Sequence, residues 1–236
     1  MSKLLEIRDL YGGYQEGVNV LQGINMRVEQ GEAVGIIGLN GSGKSTLGKA
    51  VMNLLPYRSG TVFFYGQDVS KDSTHELAQK GIAMMHQGGM VFSNLSVWQN
   101  LQLAFGSSGL STHNAQLQDI IPLLQEPKRK LMRTMADKLS GGQRHELALA
   151  MTLARNPKLV ILDEPSAGLS PKAVEEMYGM LDKVRKQFGV TVLLVEQNVS
   201  CAVSTCKRCV ILELGNIVQE VENGDITMIN QYIFSN

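Results

Sequence analysis

Residues 38–46 read Gly-Leu-Asn-Gly-Ser-Gly-Lys-Ser-Thr, and this stretch decides the fold class. It follows the apolar run Ala33-Val34-Gly35-Ile36-Ile37 and precedes the helix-compatible segment Leu47-Gly48-Lys49-Ala50. A G-x-x-x-x-G-K-[S/T] pattern set between a strand and a helix distinguishes a phosphate-binding P-loop from an ordinary glycine-rich turn. The sequence therefore predicts an α/β fold of the P-loop NTPase class.

The residue types in this loop suit the binding of a nucleoside triphosphate. Glycines take backbone angles that are closed to other residues, so successive N–H groups can point inward at phosphate oxygens. Lys44 would bring its ammonium group to the β- and γ-phosphates, and Ser45 would place its hydroxyl on Mg²⁺. The predicted nucleotide contacts are the residues of the loop itself: Gly38, Leu39, Asn40, Gly41, Ser42, Gly43, Lys44, Ser45 and Thr46.

Composition narrows the class of protein. The 236 residues are enough for one large α/β domain with an appended subdomain, so we predict a single domain over 1–236. Lysine plus arginine and aspartate plus glutamate number 22 each, which argues against broad electrostatic binding to nucleic acid. No apolar run approaches the length of about 18 residues that a membrane span needs, and the first residues lack a signal-peptide core. We expect a soluble protein of the cytoplasm.

Hydrophobic periodicity divides the chain into an α/β core and a helical insertion. Strands are predicted at 4–10, 20–28, 33–37, 61–65, 68–69, 82–85, 159–162, 190–195, 209–214 and 217–221. Helices are predicted at 97–105, 114–124, 142–155, 172–188, 199–205 and 225–232. Strand and helix alternate after residue 155, which implies a parallel sheet. We therefore predict a core with a β-subdomain at 1–86 and 156–236, and a helical subdomain at 87–155.

An acidic pair follows the predicted strand Leu159-Val160-Ile161-Leu162. Ligands of open α/β sheets bind at the carboxyl ends of the strands, where Asp163 and Glu164 would lie. Asp163 suits the binding of Mg²⁺ near the phosphates, and Glu164 suits deprotonation of the water that attacks the γ-phosphorus. The alternative is an acidic pair that ends a strand and caps the next turn, helped by Pro165. The P-loop favours the catalytic interpretation.

A third motif, Leu139-Ser140-Gly141-Gly142-Gln143, opens the amphipathic run that extends to residue 155. Ser140 stands where a helix N-cap is expected, and a helix start needs no more than that serine. Two glycines in the first turn each cost about 0.5–1 kcal/mol of helix stability, which indicates a surface that an anion approaches closely. The P-loop already supplies one phosphate site. We therefore predict that Ser140, Gly141, Gly142 and Gln143 serve a nucleotide bound by another subunit.

These motifs occur in the order P-loop, Gln87, LSGGQ at 139–143, LDEP at 162–165 and a polar position at 197. In that order the chain resembles the nucleotide-binding subunit of an ATP-binding cassette (ABC) transporter. The resemblance implies a RecA-like core sheet with an antiparallel β-subdomain and an inserted helical subdomain. It also implies ATP hydrolysis with Mg²⁺, and a head-to-tail dimer that holds each ATP between one subunit's P-loop and the other's LSGGQ helix.

The resemblance assigns further residues. Tyr14 would stack on adenine, with Tyr11 less suited by its spacing. Gln87 would reach Mg²⁺ and the attacking water, and its loop would touch a membrane partner. The segment 166–169 resembles the D-loop along the dimer seam, although Ser170 replaces the usual aspartate. His86 precedes Gln87 where proline is commoner, either as an ordinary strand-end residue or as a residue that alters the movement of the loop.

One departure from the usual motifs of the family indicates which subfamily the chain resembles. Gln197 occupies the position where the family usually places a histidine that contacts the γ-phosphate, and glutamine can donate an amide hydrogen bond but carries no charge. The segments 196–198, 165–171 and 91–97 are similar to those of the ATPases for uptake of branched-chain or hydrophobic amino acids. In that group two different ATPase subunits pair on the cytoplasmic face of the inner membrane, and for this chain we expect a hetero- or homodimer with a second ATPase subunit. It sits beneath two permease subunits, which an extracytoplasmic solute-binding protein supplies.

Other functions stay open from the sequence. Importers of urea and short amides share the same pattern, and export ATPases for lipid-type cargo normally keep the histidine that this chain lacks at Gln197. A soluble, non-transport ABC ATPase is a further alternative, although such proteins usually carry two cassettes or a long coiled coil. The cargo cannot be deduced, because the ATPase subunit does not touch it.

Overall fold

The computed structural model describes residues 2–106, 128–222 and 225–234. The strands are β1 Lys3–Gly13, β2 Leu21–Glu29, β3 Ala33–Ile37, β4 Tyr57–Phe64, β5 Gln67–Asp68, β6 Ile82–Met85, β7 Leu159–Asp163, β8 Thr191–Glu196, β9 Arg208–Glu213 and β10 Asn216–Glu222. The helices are α1 Lys44–Val51, α2 Thr74–Lys80, α3 Val97–Phe105, α4 Gly141–Leu153, α5 Pro171–Phe188, α6 Val199–Thr205 and α7 Ile226–Phe234, with 3-10 turns at Lys128–Arg133 and Ala136–Lys138.

A six-stranded sheet forms the centre of the molecule, in the order β10-β9-β3-β8-β7-β6. Its strands β9, β3, β8, β7 and β6 run parallel, and β10 pairs antiparallel with β9 at one edge. Every residue of β3, β7 and β8 is buried, as expected for parallel strands covered on both faces. The carboxyl ends of β3, β8 and β7 therefore lie side by side at one edge of the sheet.

A second, antiparallel sheet has the order β2-β1-β4-β5 and covers one face of the central sheet together with α1. Helices α3, α4, α5 and α6 pack on the opposite face. Strand β3 shows the consequence of its two-residue period: Val34 and Ile36 enter the core under the antiparallel sheet, whereas Ala33 and Ile37 enter the helical core. The P-loop thus begins from a strand that is fixed by two hydrophobic cores.

Serine residues define where several helices begin. Ser96 caps α3 and Ser140 caps α4, and each is paired with a glutamine three residues later in a reciprocal capping box. Ser170 caps α5, which has proline at its first position. Ser73 and Glu76 form the same box at the start of α2, a helix that the periodicity analysis did not predict.

The structure corrects several predicted boundaries. Strand β4 begins at Tyr57 rather than at residue 61, and β7 extends to include Asp163. The predicted helix at 114–124 lies outside the described residues. The division of the chain at residues 87 and 155 stays a prediction, although α3 and α4 do pack on each other. Across the described ranges, none of the helices combines the length and apolarity that crossing a bilayer requires.

Candidate functional site

The loop between β3 and α1 has the backbone of a phosphate cradle. Gly43 is the N-cap of α1 and has φ of 104°, and Gly41 has φ of 82°, so both lie in the region that favours glycine. At position 38 glycine is required for lack of space, because a β-carbon there would lie 2.2 Å from the carbonyl oxygen of Leu212. The free N–H groups at the start of α1 and the positive end of the helix dipole therefore face the loop.

Lys44, the first residue of α1, folds back into this loop. Its side chain is buried, and Nζ donates hydrogen bonds to the carbonyl oxygens of Gly38 at 2.8 Å and Leu39 at 2.9 Å. Burial lowers the pKa of Lys44, and the carboxylates of Glu164 and Asp163 oppose that effect. The lysine is thus a cation held inside the cradle, where a phosphate oxygen would give it a charged acceptor in place of two carbonyl groups.

Ser45 and Asp163 meet across the site. The Ser45 hydroxyl donates to Oδ1 of Asp163 at 2.7 Å, which joins α1 to the end of β7, and the Asp163 side chain is buried. A hydroxyl oxygen and one carboxylate are the ligands with which proteins commonly bind Mg²⁺, the remaining positions being filled by phosphate oxygens and water. These two residues therefore fit a magnesium ion that is bound together with a triphosphate.

Glu164 has an unusual backbone and a defined side-chain partner. Its φ is 46°, a left-handed conformation that costs a residue other than glycine about 1–3 kcal/mol and is frequent at functional sites. Its N–H donates to the carbonyl oxygen of Val195 at 2.9 Å, and Nε2 of Gln87 donates to its Oε2 at 2.6 Å. Burial raises the pKa of Glu164, the charge of Lys44 opposes this, and the Asp163 carboxylate adds to it.

The structure brings most of the predicted catalytic residues to one edge. Strand β8 lies between β3 and β7, with Val195 beside Asp163 and Glu196 beside Ile37. Gln197, the next residue, therefore emerges between the P-loop and the acidic pair, with an exposed side chain. Gln87 was predicted to reach both the metal and the attacking water, and in this structure its amide binds Glu164.

Tyr14 lies beside the P-loop helix. Its hydroxyl is 3.4 Å from Oγ1 of Thr46, and Nζ of Lys49 lies 5.5 Å from the centre of its ring, which is half exposed. Tyr11 lies elsewhere, because its hydroxyl packs over Gly23 in the antiparallel sheet, where a β-carbon would approach it to 2.8 Å. Of the two tyrosines, Tyr14 is the one that adjoins the loop.

The Ser140–Gln143 segment forms a separate cleft of about 390 Å³. The Ser140 hydroxyl accepts from the N–H of Gln143 at 3.3 Å, and the Gln143 side chain accepts from the N–H of Ser140 at 3.0 Å. The glycines between them leave the first turn of α4 without side chains, and Leu169 forms part of the opposite wall. In the described part of the chain, this cleft shares no lining residue with the cleft at Gly38–Ser42.

Two buried side chains near the site were given no role by the sequence. Glu196 is 1% exposed and accepts hydrogen bonds from the loop after Glu164 and from the residues that follow β8. His145, one turn into α4, is buried and packs against Gly89, two residues after Gln87. The sequence signal for Glu196 is an acidic residue that ends an otherwise apolar strand, the same signal that identified Asp163.

The sheet order, the glycine cradle after β3 and the acidic pair after β7 define a P-loop NTPase. The sequence matches the family model described as ABC transporter over residues 21–167. The chain is 32% identical to the high-affinity branched-chain amino acid transport ATP-binding protein BraG of Pseudomonas aeruginosa, over 89% of each chain. It is 34% identical to the probable branched-chain amino acid transport ATP-binding protein LivF of Archaeoglobus fulgidus, over 91% of this chain and 90% of that one.

The chain is also similar to an ABC protein with a different cargo and to a solved structure from an ABC transporter. The lipopolysaccharide export ATP-binding protein LptB of Escherichia coli is 30% identical over 91% of this chain and 88% of its own length. The structure of CbiO1 from Clostridium perfringens, part of the ABC transporter complex CbiONQ, has a TM-score of 0.79 at 26% identity and covers 98% of this chain and 92% of that chain. The chain belongs to the ABC transporter family, and it is an ATPase subunit of that family with the P-loop NTPase fold.

Proposed function

We propose that this chain is the ATP-binding and ATP-hydrolysing subunit of an ABC importer for branched-chain or other hydrophobic amino acids. The observation that carries the ATPase role is the pair of hydrogen bonds at one sheet edge, from Ser45 to Asp163 at 2.7 Å and from Gln87 to Glu164 at 2.6 Å. Ser45 and Asp163 would hold Mg²⁺, and Gln87 would orient the carboxylate of Glu164, which would act as the base. Both pairs of residues lie beside the P-loop.

The residues of the site divide the chemistry between them. Gly38–Thr46 would bind the phosphates through backbone N–H groups, Tyr14 would stack on adenine, and Mg²⁺ would neutralise charge on the phosphate oxygens. Glu164 would take the proton of the attacking water, and Gln87 would orient the Glu164 carboxylate through its amide. Lys44 would stabilise the negative charge on the γ-phosphoryl group, and Gln197 would add one amide hydrogen bond.

A second subunit would complete each site. The first turn of α4 offers N–H groups and a bare glycine surface, which suit the γ-phosphate of a nucleotide held by the partner's P-loop. That partner would be either a second copy of this chain or a different ATPase subunit. Association of two subunits around ATP is tested with the Glu164→Gln variant, which is expected to bind MgATP without hydrolysing it. Association of this variant with its partner subunit in the presence of MgATP would be measured by light scattering. Association should disappear in the double variant Glu164→Gln/Gly142→Asp, and its persistence would refute the role of α4.

The membrane partners would dock near Gln87, on the cytoplasmic face of the inner membrane. Met90 and Phe92 are 71% and 56% exposed just after this residue, whereas Met85 is buried in the core. Exposed methionine and phenylalanine side chains suit an adaptable contact with a permease helix. We propose two permease subunits above an ATPase dimer, supplied by an extracytoplasmic solute-binding protein.

The proposed cargo rests on the names of BraG and LivF and on the Glu196-Gln197-Asn198 segment. Cargo is tested by copurifying the chain with its membrane partners in lipid vesicles and measuring which solute stimulates ATP hydrolysis. Stimulation by leucine, isoleucine or valine is expected. Stimulation by urea, a short amide or a lipid instead would show that the proposed amino-acid cargo is wrong. Failure to associate with any membrane protein would favour a non-transport ATPase.

A further inference from the structure

Glu196 is a buried carboxylate that joins three segments of the chain. It is the last residue of β8, and its side chain is 1% exposed. Its Oε1 accepts from the N–H of Ser166 at 3.3 Å and from the hydroxyl of Tyr178 at 2.5 Å. Its Oε2 accepts from the N–H groups of Gln197 at 3.1 Å and Asn198 at 3.3 Å. One side chain therefore satisfies four donors.

Two of these donor groups adjoin the proposed hydrolytic residues. Ser166 lies two residues after Glu164, in the segment that resembles the D-loop, and the Gln197 N–H belongs to the residue proposed to contact the γ-phosphate. Because both oxygens belong to one rigid carboxylate, a shift of either segment would stretch hydrogen bonds to the other. A buried anion with several donors holds them more strongly than a neutral acceptor would.

The Tyr178 hydroxyl anchors this carboxylate to helix α5. Tyr178 lies in the middle of α5, and its pKa is raised by burial and then by the negative charge of Glu196. The proton is thus held on the tyrosine, which acts as a donor to Oε1. Lys44 adds a favourable electrostatic interaction with Glu196.

We propose that Glu196 is a positioning residue for ATP hydrolysis, which fixes the backbone of Gln197 and the loop after Glu164 in one relative arrangement. The proposal rests on the hydrolytic function proposed above. It gives Glu196 no contact with substrate; its effect on the reaction passes through Gln197 and through the loop.

The test is a double-mutant cycle between Glu196 and Gln197 in the complex with the natural partners. Glu196→Gln keeps the shape of the side chain, but in either orientation of the amide at least one backbone N–H loses its acceptor. We expect kcat to fall about tenfold, with KM changed less than about twofold, as for loss of a transition-state interaction. In the Gln197→Ala background the same change should lower kcat by clearly less than tenfold, because the part of the effect that passes through the Gln197 side chain is then absent.

Matched variants separate positioning from simple destabilisation. Glu175→Gln removes an exposed carboxylate from α5 and should leave kcat unchanged. Tyr178→Phe removes one donor to Glu196 and keeps the three backbone hydrogen bonds. This variant therefore replaces Glu196→Gln in the double-mutant cycle if Glu196→Gln does not fold. We expect it to lower kcat about threefold, and to lower kcat by less than that in the Gln197→Ala background.

The outcomes are distinct. Full additivity between the Gln197 change and either of the other two variants would overturn the proposal, as would a wild-type kcat in folded Glu196→Gln. A change in KM alone would also overturn it, because it would indicate a binding role. If the wild-type complex does not hydrolyse ATP, the proposed function fails before this proposal is tested.

Discussion

Replacing Glu164 with glutamine removes the proposed base and preserves the length of the side chain. The Glu164 carboxylate accepts from Gln87 at 2.6 Å, and burial raises its pKa, which makes it a stronger base than an exposed glutamate. Loss of a general base lowers rates by about 10²–10⁴-fold, and the lower limit corresponds to about 2.7 kcal/mol of transition-state stabilisation. We therefore expect single-turnover ATP hydrolysis to slow by at least about 10²-fold in Glu164→Gln.

Nucleotide binding should be retained in the same variant. Lys44, Ser45 and Asp163 would provide the phosphate and metal contacts, and their own hydrogen bonds do not involve the Glu164 carboxylate. The assay compares the rate of phosphate release with the Kd of MgATP, and Glu175→Gln provides the control for loss of a carboxylate. Near-wild-type turnover in Glu164→Gln would remove this residue from the role of base.

Four further predictions follow from the same geometry. The wild-type kcat should fall as pH decreases through a pKa above 4.5, since burial raises the pKa of the base and only its deprotonated form acts; an unchanged acid limb in the glutamine variant would contradict this. Asp163→Asn should weaken Mg²⁺-dependent ATP binding about 10–100-fold and leave metal-free binding unchanged, and titrations with and without Mg²⁺ compare the two. Tyr14→Ala should raise the Kd of ATP by the equivalent of about 1–3 kcal/mol, whereas Tyr11→Ala should not, and the reverse order would exchange their roles. Gly89→Ala should lower the free energy of unfolding in urea by about 1–2 kcal/mol, because φ is 60° and the β-carbon would lie 3.3 Å from His145; an unchanged value would show that the loop relaxes freely.

The elements whose bounds can be predicted from the sequence are those with local signals. The strand β6 and the helices α3 and α6 have the predicted bounds, because apolar periodicity and flanking polar residues coincide there. Helix α2 was missed for a physical reason: among its seven residues only Leu77 is buried, so the segment has no apolar stripe to detect. The capping pair Ser73 and Glu76 marks the start of this helix, but it is not part of an apolar repeat.

The site likewise contains some residues with a local sequence signal and others whose contacts depend on the fold. The P-loop and the acidic pair are contiguous stretches, so the roles proposed for them follow from residue order alone. The role proposed for Glu196 could not, because two of its donors, Ser166 and Tyr178, are brought to it only by the folded chain. The packing of His145 on Gly89 joins two segments far apart in sequence in the same way.

The proposed function requires that a triphosphate binds in the loop between β3 and α1, with Lys44 close to its negatively charged phosphate oxygens. The most direct test is equilibrium binding of MgATP to the purified chain, measured by titration calorimetry for the wild type and for Lys44→Ala, with folding of both checked by circular dichroism. We expect one bound MgATP per wild-type chain and a loss of affinity of about tenfold or more in folded Lys44→Ala, since a hydrogen bond to a charged group contributes about 1.5–3 kcal/mol. Equal affinity of the two proteins, or no binding by the wild type, would contradict it.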